Sequence, residues 1–277
     1  MDNRLLTIQD ISCVGQCSLT VALPVISACG IETAILPSSV LSNHTAGFSG
    51  WTFTDLTKDM SPILAQWQKE KIDFSAFYTG YVSKEQIPHI LEIIEKTSRK
   101  NAITIVDPVM ADNGKMYPGF DDDFPQEMKK LCEKSDYLLP NLTEASFLLG
   151  IPYVGSNYDQ DYIEDVIKKL YNLGAKNIVL TGVSFDENKL GVACYDGKKI
   201  EYYFTDRMNV SMHGTGDVYA STFVGALVRG KDAFTAAKIA ADYTVRCIEL
   251  TKEDTEHWYG VKFEKAMPEL ISAIYQE

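Results

Sequence analysis

Apolar residues along the chain gather into short runs that stop at turn-forming or acidic positions: residues 5–9, 33–36, 74–78, 103–106, 137–139 and 178–180. Runs this short suit strands covered on both faces, where apolar side chains need not alternate with polar ones. Between most of them the period changes to that of an amphipathic helix, over residues 18–29, 84–99, 122–133 and 161–173. Strand and helix in alternation predict an α/β fold with a mainly parallel central sheet and helices on both faces.

The pattern breaks in two places. Residues 37–54 are rich in Ser, Thr, Gly and aromatics without helical spacing, which predicts a flap or substrate-loop excursion over a site. Residues 191–204 read as a hairpin turning at Asp196-Gly197, followed by helical patterns at 217–229, 233–250 and 264–275. No Pro/Gly/Ser-rich linker or internal repeat divides the 277 residues, so a single domain over 1–277 is expected. Ligands of open parallel sheets sit beyond the carboxyl ends of the strands. That directs attention to Asp10, Thr79-Gly80-Tyr81, Asp107, Asn141 and Thr181-Gly182.

A net charge of −12 with no basic run argues against nucleic acid as a partner. No apolar run approaches the ~18 residues of a membrane span, and the start of the chain has no signal-peptide core. The cysteines, Cys13, Cys17, Cys29, Cys132, Cys194 and Cys247, form no CxxC pair and mostly lie in apolar stretches, as reduced thiols of the cytoplasm do. An anionic substrate must therefore be held by local backbone dipoles and metal, against the overall field.

The strongest chemical signal is His213-Gly214-Thr215-Gly216-Asp217, directly before an apolar helical run. Small residues at a helix start leave backbone N–H groups free to converge on an anion, and the helix dipole reinforces them. Asp217, in the first turn, is placed to take a proton from an attacking hydroxyl. An ordinary capped helix start uses the same residue types, so the motif alone leaves both readings open. Asn141-Leu142-Thr143-Glu144 is similarly two-sided. Its Asn and Glu either position the waters of a Mg²⁺ that bridges nucleotide phosphates or cap the helix.

Together with Asp107-Pro108-Val109-Met110, these motifs in this order resemble the ribokinase-like superfamily and, within it, the pyridoxal kinases. Ser42-Asn43-His44-Thr45 resembles their substrate loop and Thr79-Gly80-Tyr81 their TGY segment, so the likeness runs from about residue 5 to 251. The resemblance implies a ribokinase-like fold and ATP-dependent phosphorylation of the 5′-hydroxymethyl group of pyridoxine, pyridoxamine or pyridoxal, giving the 5′-phosphate and ADP. It further implies Mg²⁺, a monovalent cation as an additional candidate, and a cytoplasmic homodimer.

Roles follow from the same resemblance. Asp217 matches the catalytic base, and Gly214, Thr215 and Gly216 match the anion hole for the transferring phosphoryl group. Glu144 and Asp107 match metal-organising acids acting through water, and Asp107, Asp112, Asn141, Glu144 and Thr181 lie where the family meets ATP. Thr45 and Tyr81 match the vitamer pocket, and residues 205–210 its adenine and ribose side.

One departure concerns Gln9-Asp10-Ile11, where the family has Gln-Ser-His; Ser12 follows two residues after Asp10, and both are substrate-binding candidates. An ionised Asp only accepts hydrogen bonds, which suits a hydroxyl or ammonium better than an aldehyde oxygen. Pyridoxine or pyridoxamine is then preferred over pyridoxal, unless Asp10 engages only backbone or water. His213 is read as a hydrogen-bonded spacer with an ordinary imidazole, and Cys13 and Cys17 as core or pocket-lining thiols. Phe48, Trp51 and Phe53 form either a flap or a dimer face. A hydroxymethylpyrimidine kinase, or another small-alcohol kinase of the fold, is the alternative enzyme, although the glycine-rich early segment of such kinases is absent around residues 10–18. A nucleotide- or B6-binding regulatory module is the non-enzyme alternative, and an intact Asp217 argues against it.

Overall fold

The computed structural model describes residues 3–276; the outermost ends of the expected 1–277 domain, residues 1–2 and 277, lie outside the described residues. The strands are β1 (Arg4–Ser12), β2 (Glu32–Leu41), β3 (Phe53–Asp55), β4 (Phe74–Thr79), β5 (Ser98–Val106), β6 (Ala111–Asp112), β7 (Lys115–Met116), β8 (Tyr137–Leu138), β9 (Ile178–Val183), β10 (Lys189–Tyr195) and β11 (Ile200–Asp206). Nine of them form one sheet in the order β11-β10-β9-β8-β5-β4-β1-β2-β3, and β6 pairs with β7 apart from it. The middle of the sheet, from β2 through β1, β4, β5 and β8 to β9, is parallel. Antiparallel strands finish both edges: β3 on β2, and β10 and β11 beyond β9.

Helices α1 (Leu19–Ala28), α7 (Thr215–Val228), α8 (Ala233–Thr251) and α9 (Phe263–Tyr275) cover one face. The other is covered by α2 (Thr57–Lys69), α3 (Ile87–Thr97), α4 (Phe124–Cys132), α5 (Leu142–Leu149) and α6 (Gln160–Tyr171). Successive strand side chains point to opposite faces. Leu5, Ala76, Tyr78, Ile105 and Val179 therefore enter the first core, and Leu6, Ile8, Phe77, Val106 and Leu180 the second. Two buried faces explain why the apolar runs in the sequence do not alternate.

Local chemistry fixes the element ends. Asp159 and Asp232 cap α6 and α8 by accepting from the backbone N–H groups of Tyr162 and Thr235. Asp196 accepts from the N–H groups of Lys198 and Lys199, and Gly197 takes φ +85°, which turns β10 into β11 where the sequence predicts it. Of the excursion expected at 37–54, residues 37–41 continue β2 and 53–54 enter β3, leaving 42–52 as the connecting loop. Among the described residues no helix is long and apolar enough to cross a membrane.

Candidate active site

The parallel strands deliver their loops to one end of the sheet, around a cavity of about 1320 Å³. Asp10, Ser12, Thr45, Tyr81, Asp107, Asp112, Asn141, Glu144, Thr181, Gly214, Thr215, Gly216 and Asp217 all line it. The residues singled out from the sequence therefore share one cavity, although they come from segments far apart in the chain.

Helix α7 enters the cavity by its N-terminus. Its cap residue, Gly214, is left-handed at φ +79° and supplies no side-chain cap, so the first N–H groups of the helix remain available to an anion. Glycine is required there twice over: the φ is costly for other residues, and a Cβ would run into the Gln16 carbonyl oxygen. Thr215 Oγ1 donates back to the Met212 carbonyl at 3.3 Å, bracing the approach. Asp217 follows in the first turn, half-buried against the cavity. Burial, helped by the charge of Asp10, pushes its carboxyl up to about 7, while a hydrogen bond from the Ser18 backbone N–H pulls the other way. A carboxylate tuned near neutrality is well matched to general base chemistry.

At α5 the capping alternative is realised. Asn141 Oδ1 accepts from the Glu144 N–H at 2.9 Å, and Glu144 Oε2 accepts from the Asn141 N–H at 2.8 Å. The same residues do more than cap. Glu144 Oε1 accepts from the Met110 N–H at 3.2 Å and Asn141 Nδ2 donates to the Ala111 carbonyl at 2.8 Å, which ties the segment after β5 to the helix. Asp107 is held by its own N–H on the Thr79 carbonyl at 3.0 Å. Burial pushes the Glu144 carboxyl up to about 8, and burial, Glu144 and Asp217 together raise Asp107 well above the usual carboxylate range.

The donor set bears on metal. Among the described residues, no group of three or more His, Cys, Asp or Glu side chains converges tightly enough to cage an ion. What the cavity offers instead is crowded acid groups: Asp107 is raised by burial, Glu144 and Asp217, and Glu144 by burial and Asp112. That chemistry fits a hydrated Mg²⁺ carried in on nucleotide phosphates and touched by the protein through water.

Near β1 the picture changes from the sequence reading. Asp10 lies within the strand rather than beyond it. A register shift between Gln9 and Ile11 marks the strand there, and Asp10 lines the cavity. It is 4 % exposed and accepts from Ser12 Oγ at 2.9 Å, so its partners are not only backbone and water. Burial raises its carboxyl, against hydrogen bonds from Ser18 and Ser12. His213 does not keep an ordinary imidazole: although its side chain is exposed, partial desolvation against the cavity wall and the nearby charge of His44 lower it. Cys13 is exposed rather than packed in the core, and Cys17 lines the cavity, its thiol pushed up by burial and by Asp217 and Asp10. Phe48 packs against Trp258 at 4.7 Å, whereas Trp51 and Phe53 are exposed.

Some lining residues carry no motif. Ser18 takes φ +50°, unusual for a non-glycine residue, and its N–H reaches Asp217. In the sequence it reads as a plain helix start. Tyr117, raised by burial and by Glu144, is another. Leu190, residues 205–210, Thr244 and Ile248 also line the large cavity, and a smaller cavity of about 420 Å³ shares Leu41, Thr45 and Tyr81 with it.

The chain matches the family model described as phosphomethylpyrimidine kinase over residues 23–261. Pyridoxal kinase of Dictyostelium discoideum is 29% identical to it over 247 residues, covering 83% of this chain and 80% of that protein. Pyridoxal kinase from Lactobacillus plantarum superposes with a TM-score of 0.89 at 30% identity, covering 98% of this chain and 97% of that one. A Bacteroides thetaiotaomicron protein assigned as a phosphomethylpyrimidine kinase and crystallised with pyridoxal gives a TM-score of 0.92 at 30% identity, over 98% of this chain and 96% of that one.

Proposed function

The chain belongs to the phosphomethylpyrimidine kinase family, with a ribokinase-like fold, and we propose that it transfers the γ-phosphoryl group of ATP to the 5′-hydroxymethyl group of a B6 vitamer. The observation that carries this reading is Asp217 at the uncapped tip of α7, in a cavity whose volume of about 1320 Å³ is large enough for an alcohol and a nucleotide together.

The vitamer lies against Asp10, Ser12, Thr45 and Tyr81, with ATP towards Asp107, Asp112, Asn141, Glu144 and Thr181. Asp217 takes the hydroxyl proton as the oxygen attacks the γ-phosphorus; the bond from that phosphorus to the β,γ-bridging oxygen breaks, and ADP leaves. N–H groups of residues 214–217 receive the charge that gathers on the transferring oxygens. Glu144 and Asp107 would hold a Mg²⁺ through water, and the ion would supply neutralisation of phosphate charge. A monovalent cation remains a candidate for the same end of the cavity. We also read the chain as one domain, cytoplasmic and homodimeric. The unpaired state of its cysteines supports the cytoplasm, and exposed Trp51 and Phe53, before and at the start of edge strand β3, support a partner copy.

The deciding assay offers pyridoxine, pyridoxamine, pyridoxal and hydroxymethylpyrimidine with MgATP and identifies the phosphorylated product by mass. Turnover of pyridoxine or pyridoxamine with several-fold higher kcat/KM than pyridoxal is expected, because Asp10 accepts but does not donate when ionised. Equal use of all three, or a lead for pyridoxal, removes Asp10 from that role. Exclusive use of the pyrimidine, which the family's description keeps in the panel, overturns the vitamer reading.

Glu144→Gln replaces an acceptor of two backbone N–H groups by an amide that can satisfy only one of them. A higher Mg²⁺ concentration for half-maximal rate is expected, along with a loss of roughly 1–3 kcal/mol of stability. An unchanged Mg²⁺ titration contradicts the metal-organising role.

A further inference from the structure

His44 joins three loops: the turn after β1, the 42–52 connection after β2, and the segment between α8 and α9. Its backbone N–H donates to the Val14 carbonyl at 3.2 Å, and a Cβ on Gly15 would strike its ring. Its Nδ1 accepts from the Ala46 N–H at 3.2 Å, so the ring proton sits on Nε2, which donates to the Tyr259 carbonyl at 2.8 Å. That carbonyl is shared: the Gln16 N–H also donates to it, at 3.4 Å. The Gln16 carbonyl is in turn the group on which Gly214 is seated, and Ser18, two residues on, hydrogen-bonds Asp217.

We propose that His44 is a positioning residue, which sets the seat of the 214–217 anion loop and the aim of Asp217 through Tyr259 and Gln16, while holding Thr45 in the vitamer pocket. Aromatic packing reinforces the junction: Phe48 lies 4.9 Å from the His44 ring and 4.7 Å from Trp258, one residue before Tyr259. The His44 ring also lies 5.5 Å from that of His213, directly before Gly214, and these contacts end at the anion loop rather than at Leu190 or residues 205–210, so grip on the vitamer and alignment of transfer are coupled more strongly than ATP affinity. The inference rests on the kinase reading above.

The test compares two amides. His44→Asn keeps an acceptor for the Ala46 N–H and falls short of Tyr259; His44→Gln extends an N–H to the Tyr259 carbonyl and gives up Ala46. For His44→Asn we expect kcat to fall by about 10-fold and the pyridoxine KM to rise several-fold, with the MgATP KM within about two-fold of wild type. His44→Gln should recover kcat to within about three-fold. Gly15→Ala, which displaces the ring from its other side, should reproduce the His44→Asn split even where an amide variant folds poorly. Equal impairment of both amides, a wild-type kcat in His44→Asn, or a loss confined to thermal stability overturns the proposal. A wild-type protein that phosphorylates no vitamer would instead remove the kinase reading itself.

Discussion

Asp217→Asn lowers kcat by roughly 10²–10⁴-fold and leaves MgATP binding within a few-fold of wild type, because the amide keeps the shape of the side chain and loses its ability to take a proton. The pH profile supplies a second readout. With the carboxyl at about 7, the wild-type kcat/KM should fall with unit slope as pH drops below that value, and the residual activity of the variant should lack this limb. Stability should move in the opposite sense to activity. The folded-state value lies above the ordinary one of 3.8, so the stabilisation associated with the protonated form is complete below about 4 and lost as pH rises through about 7. Above that point the native protein carries a charged group in a site that disfavours it, at a cost on the order of a few kcal/mol before solvent screening is allowed for. The variant escapes this cost, and its Tm relative to wild type should increase from pH 4 to pH 8. Near-normal turnover in the variant rejects Asp217 as the base.

Gly214→Ala is expected to lose about 10²-fold in kcat with a smaller change in the MgATP KM. Two costs coincide at this position. A side chain at φ +79° is strained by about 1–2 kcal/mol, and the new methyl group meets a main-chain oxygen of Gln16, which cannot rotate aside as a side chain can. The helix tip must shift to accept it, and donors aimed at developing charge lose most of their value when misplaced by a fraction of an ångström. A kcat within a few-fold of wild type would mean that the tip tolerates displacement and that the seat on Gln16 is unimportant.

Most of the fold was legible because both sheet faces are buried: the apolar runs at 5–9, 74–78 and 103–106 fall within β1, β4 and β5. Helix α2 was not, for a physical reason. It buries only Met60 and Leu64 and carries Pro62, so the sequence shows neither a broad apolar stripe nor an uninterrupted helical run. Strand β3 is three exposed residues, held in place by main-chain pairing with β2 that leaves no side-chain signature. The site was legible as types of residue, glycines before a helix and an Asn-x-x-Glu turn. Its assembly was not: the seat of Gly214 on Gln16, the bond from Ser18 to Asp217 and the contact of His213 with His44 all join distant segments. Asp10 shows the limit most clearly, since only the register shift beside it reveals that it belongs to the strand and still lines the cavity.

The carbonyl of Tyr259 lies between α8 and α9, yet it anchors the turn that follows the first strand. The turn after β1 therefore takes its final outline only once the chain has been synthesised past residue 259, so the first segment made is among the last to be finished.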